Sequence, residues 1–238
     1  MAPLRSYGFW NVRPSNKEEQ IEPYKHYYFI CEGQNTERWY FEKFIDLRKE
    51  FSISSLISIE YLEKTDEHRT WSDPKKLYEL AQSYRKGSQV SFDPKHDKMI
   101  IVFDADIFEN REEIAYDSFI AEASQENLLC VTNPSFELFL LLHYEESYKT
   151  LIEPNKSKIL ENEWVDCGDE KIRYIEHLFR LRSGLKPKQD QEIANLVKSV
   201  FVAINQEKKL NNDICKCRGQ LTSNIGNIMY TILTDKGD

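Results

Sequence analysis

The sequence predicts an α/β protein: a mostly parallel sheet flanked by helices, followed by a helical C-terminal region. Three observations carry that prediction. Apolar, β-branched or aromatic runs alternate with helix-periodic segments, the pattern of βα units. One run, Lys98–Phe103 (KMIIVF), is apolar without alternation, as in a strand buried on both faces. The first run passes through a tight turn into a helix, as parallel connections require.

Residues 1–23 are polar and aperiodic and read as an N-terminal arm. Tyr24–Cys31 (YKHYYFIC) is aromatic and β-branched and reads as a buried strand. Glu32-Gly33-Gln34-Asn35 has turn chemistry, and Thr36 offers an N-cap for a helix that starts at Glu37 and places Trp39, Tyr40, Phe41, Phe44, Ile45 and Leu47 in helical periodicity. Leu56–Leu62 reads as a second strand, and Ser72-Asp73-Pro74 as a helix start leading to about Arg85. Lys98–Phe103 follows as a strand that ends at Asp104, then a helix over Glu112–Glu126, a short strand over Leu128–Thr132, and a helix from Asn133-Pro134 through Tyr144. The core domain is thus residues 24–150. Residues 151–238 read as helical, over Lys171–Arg182, Asp190–Lys208 and Ser223–Leu233.

Composition narrows the functional classes. The chain has 238 residues, 40% of them hydrophobic and 30% charged, in the range of folded globular proteins. No apolar run reaches the roughly 20 residues that span a bilayer, and the N-terminal segment lacks the apolar core of a signal peptide, so a cytoplasmic location without membrane partners is expected. The five cysteines have no framework spacing, and Cys215-x-Cys217 is one residue short of the usual zinc pair, so they are expected to be reduced packing thiols. The net charge of −8 argues against a general nucleic-acid-coating role but not against a nuclease. Charge is uneven along the chain: seven acids lie between Asp104 and Glu122 against Arg111 alone, and six bases between Lys171 and Lys188 against Glu176 alone. An acidic site facing a basic stretch suits a polyanionic substrate; two solvated faces of opposite sign are the plainer alternative.

Two acidic signals share one structural context. Glu32 follows the first strand, and Asp104 and Asp106 follow KMIIVF. Ligands of open α/β sheets bind beyond the carboxyl ends of the strands, and neighbouring strands would bring these three carboxylates together. Mg²⁺ (or Mn²⁺) takes few carboxylates and keeps several waters, so three acids suffice. The chain has no G-x-x-x-x-G-K-[ST], no G-x-S-x-G and no H-E-x-x-H, which removes an intrinsic P-loop and the common hydrolase and zinc-protease readings. His143 falls on the same helical face as Phe136, Phe139 and Leu140 and reads as a core histidine.

Ile30-Cys31-Glu32-Gly33-Gln34-Asn35-Thr36-Glu37 with Tyr40-Phe41, then Val102-Phe103-Asp104-Ala105-Asp106, then Asn133-Pro134-Ser135-Phe136-Glu137 through His143-Tyr144, and finally Leu221-Thr222-Ser223-Asn224-Ile225-Gly226, resemble the successive motifs of the RloB-like family. The resemblance implies a Toprim-like core and a place in bacterial anti-phage, abortive-infection modules beside an ABC- or AAA-type ATPase partner. It implies Mg²⁺-dependent phosphodiester chemistry on RNA, with tRNA included, or on DNA. Glu32 would act as general acid or base, Asp104 and Asp106 would hold the metal, and Glu37 and Glu137 would match further acids of nuclease-type members. Lys186 and Lys188 are candidates to stabilise the phosphate. The alternatives are a non-catalytic Toprim-like sensor that regulates its ATPase, and a primase-like or phosphatase-like enzyme. The sequence leaves the oligomeric state open.

Overall fold

The computed structural model describes residues 24–64, 73–108 and 113–237; the N-terminal arm expected over 1–23 lies outside them. The first unit is β1 (Lys25–Cys31), α1 (Thr36–Asp46) and β2 (Ile57–Tyr61). Next come α2 (Pro74–Lys86), β3 (Lys98–Asp104), α3 (Glu113–Ala123), β4 (Asn127–Asn133) and α4 (Phe136–Leu141). The remainder holds α5 (Lys156–Glu161), a hairpin of β5 (Trp164–Cys167) and β6 (Glu170–Arg173), α6 (Tyr174–Ser183), a 3₁₀ segment over Gln191–Ser199, α7 (Val200–Glu207), β7 (Thr222–Ser223) and α8 (Ile225–Thr234).

The main sheet has the order β2-β1-β3-β4-β7. The first four strands are parallel, and only β7 runs antiparallel, against the end of β4. The α/β prediction holds, with a Rossmann-like sheet. The chain first builds outward from β1 to β2 and then returns to add β3 on the other side, so the topological switch point lies between β1 and β3. Ligand crevices open at such points, at the carboxyl ends of the strands.

Side chains alternate between two cores. Tyr27, Phe29 and Cys31 face one layer, with α1, α4 and the C-terminal helices; Tyr28 and Ile30 face the other, with α2 and α3. Burial on both faces explains why β3 is apolar throughout. Tyr40, Phe41 and Phe44 bury one face of α1 completely, each contributing on the order of 2 kcal/mol by burial alone. Asp73 caps α2 by accepting the Lys75 N–H at 2.9 Å.

Several boundaries differ from expectation for identifiable reasons. Thr36 lies inside α1 and does not cap it: Asn35 is the N-cap, and the Thr36 hydroxyl accepts the Lys188 N–H at 2.8 Å. The helix after Asn133-Pro134 starts only at Phe136 and ends at Leu141, after which i→i−3 bonds tighten the chain through Tyr144. Lys171–Arg173 are strand, with the helix beginning at Tyr174. The region after residue 150 is therefore mainly helical but carries a hairpin and contributes β7 to the main sheet.

That last strand explains the Leu221–Gly226 motif. Asn224 Oδ1 accepts the Val131 N–H and its Nδ2 donates to the Leu129 carbonyl, both at 2.7 Å, so one side chain completes the edge of β4. Glu207 accepts the Ser223 hydroxyl at 2.5 Å and the Gly226 and Asn227 N–H groups at 2.9 and 2.8 Å, capping α8. Cys31, Cys130 and Cys217 are buried, and all five thiols are unbridged. No described helix is long and apolar enough to cross a membrane.

Candidate functional site

A cleft of about 330 Å³ opens at the carboxyl ends of β1 and β3, and Glu32, Glu37, Asp104, Asp106 and Glu137 all line it. These are the five acids expected at the site, delivered from the ends of two strands and the starts of two helices. Glu32 follows β1 directly, its N–H bonded to the Val102 carbonyl of β3 at 2.9 Å. Asp104 ends β3 and Asp106 follows in a 3₁₀ turn over Ala105–Phe108. Glu37 and Glu137 both stand in the first turn of their helices, α1 and α4, where the helix dipole favours negative charge.

The cleft is held by specific bonds. Glu32 Oε2 accepts the Asp104 N–H at 3.2 Å, joining the two strand ends. The Thr132 hydroxyl donates to Asp104 Oδ1 at 2.5 Å; the two residues are register partners on β3 and β4. The Ser135 hydroxyl donates to Glu137 Oε2 at 2.5 Å. Lys64 Nζ donates to the Glu32 carbonyl and so fixes the turn. Gly33 leaves room for Glu37: a β-carbon there would lie 1.8 Å from Glu37 Oε2.

Partial burial and crowding of these acids raise their proton affinity. Burial pushes Glu32 up to about 7, with the Glu37 and Asp106 charges adding to it and the Asp104 N–H and Lys64 opposing. Burial likewise pushes Glu37 up to about 7, helped by Glu137 and opposed by its own N–H, Lys188 and Lys64. Asp104 is raised well above the usual carboxylate range by burial and then by its four acidic neighbours. Glu137 is raised by burial, against the Ser135 hydroxyl and Lys188. Such perturbation in a cleft makes these acids candidates for a functional site.

The two lysine candidates separate. Lys188 lines the cleft, its backbone in the left-handed region (φ 67°) and pinned between Thr36 Oγ1 and Asn35 Nδ2, which donates to its carbonyl at 2.8 Å. Lys186 instead pairs with Glu170 at 3.4 Å, outside the cleft. Asn133 neither caps α4 nor holds the Asp-x-Asp turn; its Nδ2 donates to the Cys217 and Gln220 carbonyls. His143 is a core residue: Nδ1 donates to the Phe139 and Leu140 carbonyls, Nε2 accepts the Tyr40 hydroxyl at 2.8 Å, and burial lowers it to about 4.

Sequence reasoning missed Asn162, Arg173 and Glu176, which complete the cleft wall. The one available signal was the basic stretch Lys171–Lys188. Of its six bases only Arg173 and Lys188 reach the cleft, while Arg180 is committed to Glu170 and Glu176.

The donor set is hard oxygen throughout, as Mg²⁺ or Mn²⁺ prefers. The mutual repulsion of the acids is the kind a cation relieves. Among the described residues no three acidic, histidine or cysteine groups converge on one point as they stand, so an ion would draw flexible glutamate arms inward.

Fold and cleft together define a Rossmann-like α/β protein with a carboxylate-lined site at the switch point of its sheet. A family model described as RloB-like protein matches residues 27–232. The chain belongs to the RloB-like family. No curated protein and no solved structure matches it.

Proposed function

We propose that this chain is a divalent-metal-dependent nuclease, cleaving phosphodiester bonds of RNA or DNA through a Toprim-like core. In this reading it serves as the effector of an anti-phage module with an ATPase partner. The observation that carries the chemical part is the gathering of Glu32, Glu37, Asp104, Asp106 and Glu137 in one cleft at the switch point. The biological part rests on the family resemblance and is a separate step.

In this reading Asp104, Asp106 and Glu137 hold Mg²⁺ or Mn²⁺, with Glu32 and Glu37 beside them. A bound divalent ion supplies charge neutralisation at the phosphate and lowers the pKa of water. Glu32, bonded through Oε2 to the Asp104 N–H at the cleft, is placed to take or give a proton there. Thr132 and Ser135 orient the Asp104 and Glu137 carboxylates. Lys188 brings positive charge to the phosphate at the cleft mouth.

The non-catalytic sensor reading draws on one observation, that no three ligands among the described residues are already converged. Incubating the full chain with total tRNA and with plasmid DNA, in Mg²⁺ or Mn²⁺ and in EDTA, separates the two when Asp104→Ala is run alongside. Cleavage that requires both metal and Asp104 supports the nuclease. Absence of cleavage with the ATPase partner and ATP present supports the sensor.

A further inference from the structure

The β5–β6 hairpin sets an aromatic side chain beside the cleft. Trp164, on β5, is 60% exposed. Its cross-strand register partner is Arg173, whose guanidinium lies over the indole ring, 4.6 Å from the centroid. Arg173 also lines the carboxylate cleft, and it is fixed there by donating to the Asn162 carbonyl at 3.0 Å. Asn162 is itself held in the left-handed region (φ 42°), with its Oδ1 accepting the Ile175 N–H at 3.1 Å. A lone exposed aromatic needs no explanation; this one is coupled through a single immobilised arginine to the wall of the acidic site.

We propose that Trp164, backed by Arg173, is a stacking platform for an unpaired nucleobase next to the phosphate held in the cleft. The inference rests on the nuclease reading and deepens it by naming the substrate class: a single-stranded or looped nucleic acid. Bases inside a continuous duplex are already stacked on their neighbours and offer no free face, whereas unstacked bases pair readily with aromatic rings and guanidinium planes. The platform is indifferent to the sugar, so RNA and DNA strands are both within its chemistry.

The test is binding of labelled oligoadenylate to the full chain, followed by fluorescence anisotropy in Ca²⁺, using RNA and DNA strands and the same strands paired into duplex. Trp164→Ala is expected to weaken single-strand binding by about tenfold. Trp164→Phe should restore most of it, and duplex binding should not change. The exposed position keeps the fold intact in both variants, which a thermal melt verifies. Unchanged single-strand binding in Trp164→Ala, or duplex preferred over single strand by the unsubstituted protein, would overturn the platform. If Asp104-dependent cleavage persists in either case, the nuclease reading stands without it. Failure to bind any of these strands would overturn the platform, while the nuclease reading is decided separately by the tRNA and plasmid assay.

Discussion

Glu32 Oε2 accepts the backbone N–H of Asp104 at 3.2 Å, so the acid at the end of β1 is bonded to the acid at the end of β3 across the switch point. Glutamine at position 32 keeps an acceptor oxygen for that bond but loses the titrating carboxylate. Glu32→Gln is therefore expected to lower cleavage by ~10²- to 10⁴-fold, while thermal stability at pH 8 is equal to or above that of the unsubstituted protein. Rates and melting curves on the same preparations check both halves. Full activity would remove the acid/base role.

The raised carboxylates make stability depend on pH with a defined sign. A carboxylate whose folded pKa exceeds its ordinary value contributes stability below that ordinary value and loses it as pH rises through the folded one. For Glu32 and Glu37 that window runs from 4.5 to about 7. At about 1.4 kcal/mol per pH unit, each carries on the order of 3 kcal/mol, and the two share a cleft and do not add in full. His143 acts oppositely, its contribution present above 6.5 and lost as pH falls through about 4. Urea midpoints in EDTA should thus fall as pH rises from about 5 to 7.5, the two glutamates outweighing the single opposing histidine, and millimolar Mg²⁺ should flatten the slope. A slope unaffected by Mg²⁺ would count against a cation in the cleft.

Gly33 matters for space, since its φ is not in the left-handed region. A β-carbon there would meet the Glu37 carboxylate at 1.8 Å, and the end of a glutamate side chain can swing away at little cost. Gly33→Ala should accordingly reduce cleavage by roughly tenfold or more, as displacing a positioned group does, with a melting temperature within about 3 °C of the parent. A large loss of stability would show that the turn, and not Glu37, needs the glycine.

Asn224 is a structural residue of the same kind of importance. Replacing it with alanine leaves the buried Val131 N–H and Leu129 carbonyl without their partner, at a cost of about 3 kcal/mol. Denaturant titration of Asn224→Ala checks this. Asn224→Asp should recover only the Val131 bond.

Much of this was legible in the sequence because β1 and β3 are apolar runs that end abruptly in acid, which locates Glu32, Asp104 and Asp106 without any coordinates. Glu37 was reached through family resemblance and Glu137 through that resemblance together with its place among apolar residues: each sits in the first turn of a helix, where an acid is ordinarily a dipole partner. The hairpin was hidden because its strands are four residues long and largely solvated, so Lys171–Arg182 carries one helix-like pattern across a strand–helix boundary. Arg173 and Asn162 went unseen as cleft residues for that reason. β7 is two residues long, and its place in the sheet depends on Asn224, a tertiary bond with no local periodicity.

Divalent-cation binding in the acidic cleft underlies the proposed chemistry, and Mn²⁺ titration followed by electron paramagnetic resonance tests it most directly. The unsubstituted chain should show saturable Mn²⁺ binding that Mg²⁺ displaces and that Asp104→Ala abolishes or weakens by more than tenfold. Equal Mn²⁺ binding by Asp104→Ala, or none by the unsubstituted chain at millimolar ion, would contradict it.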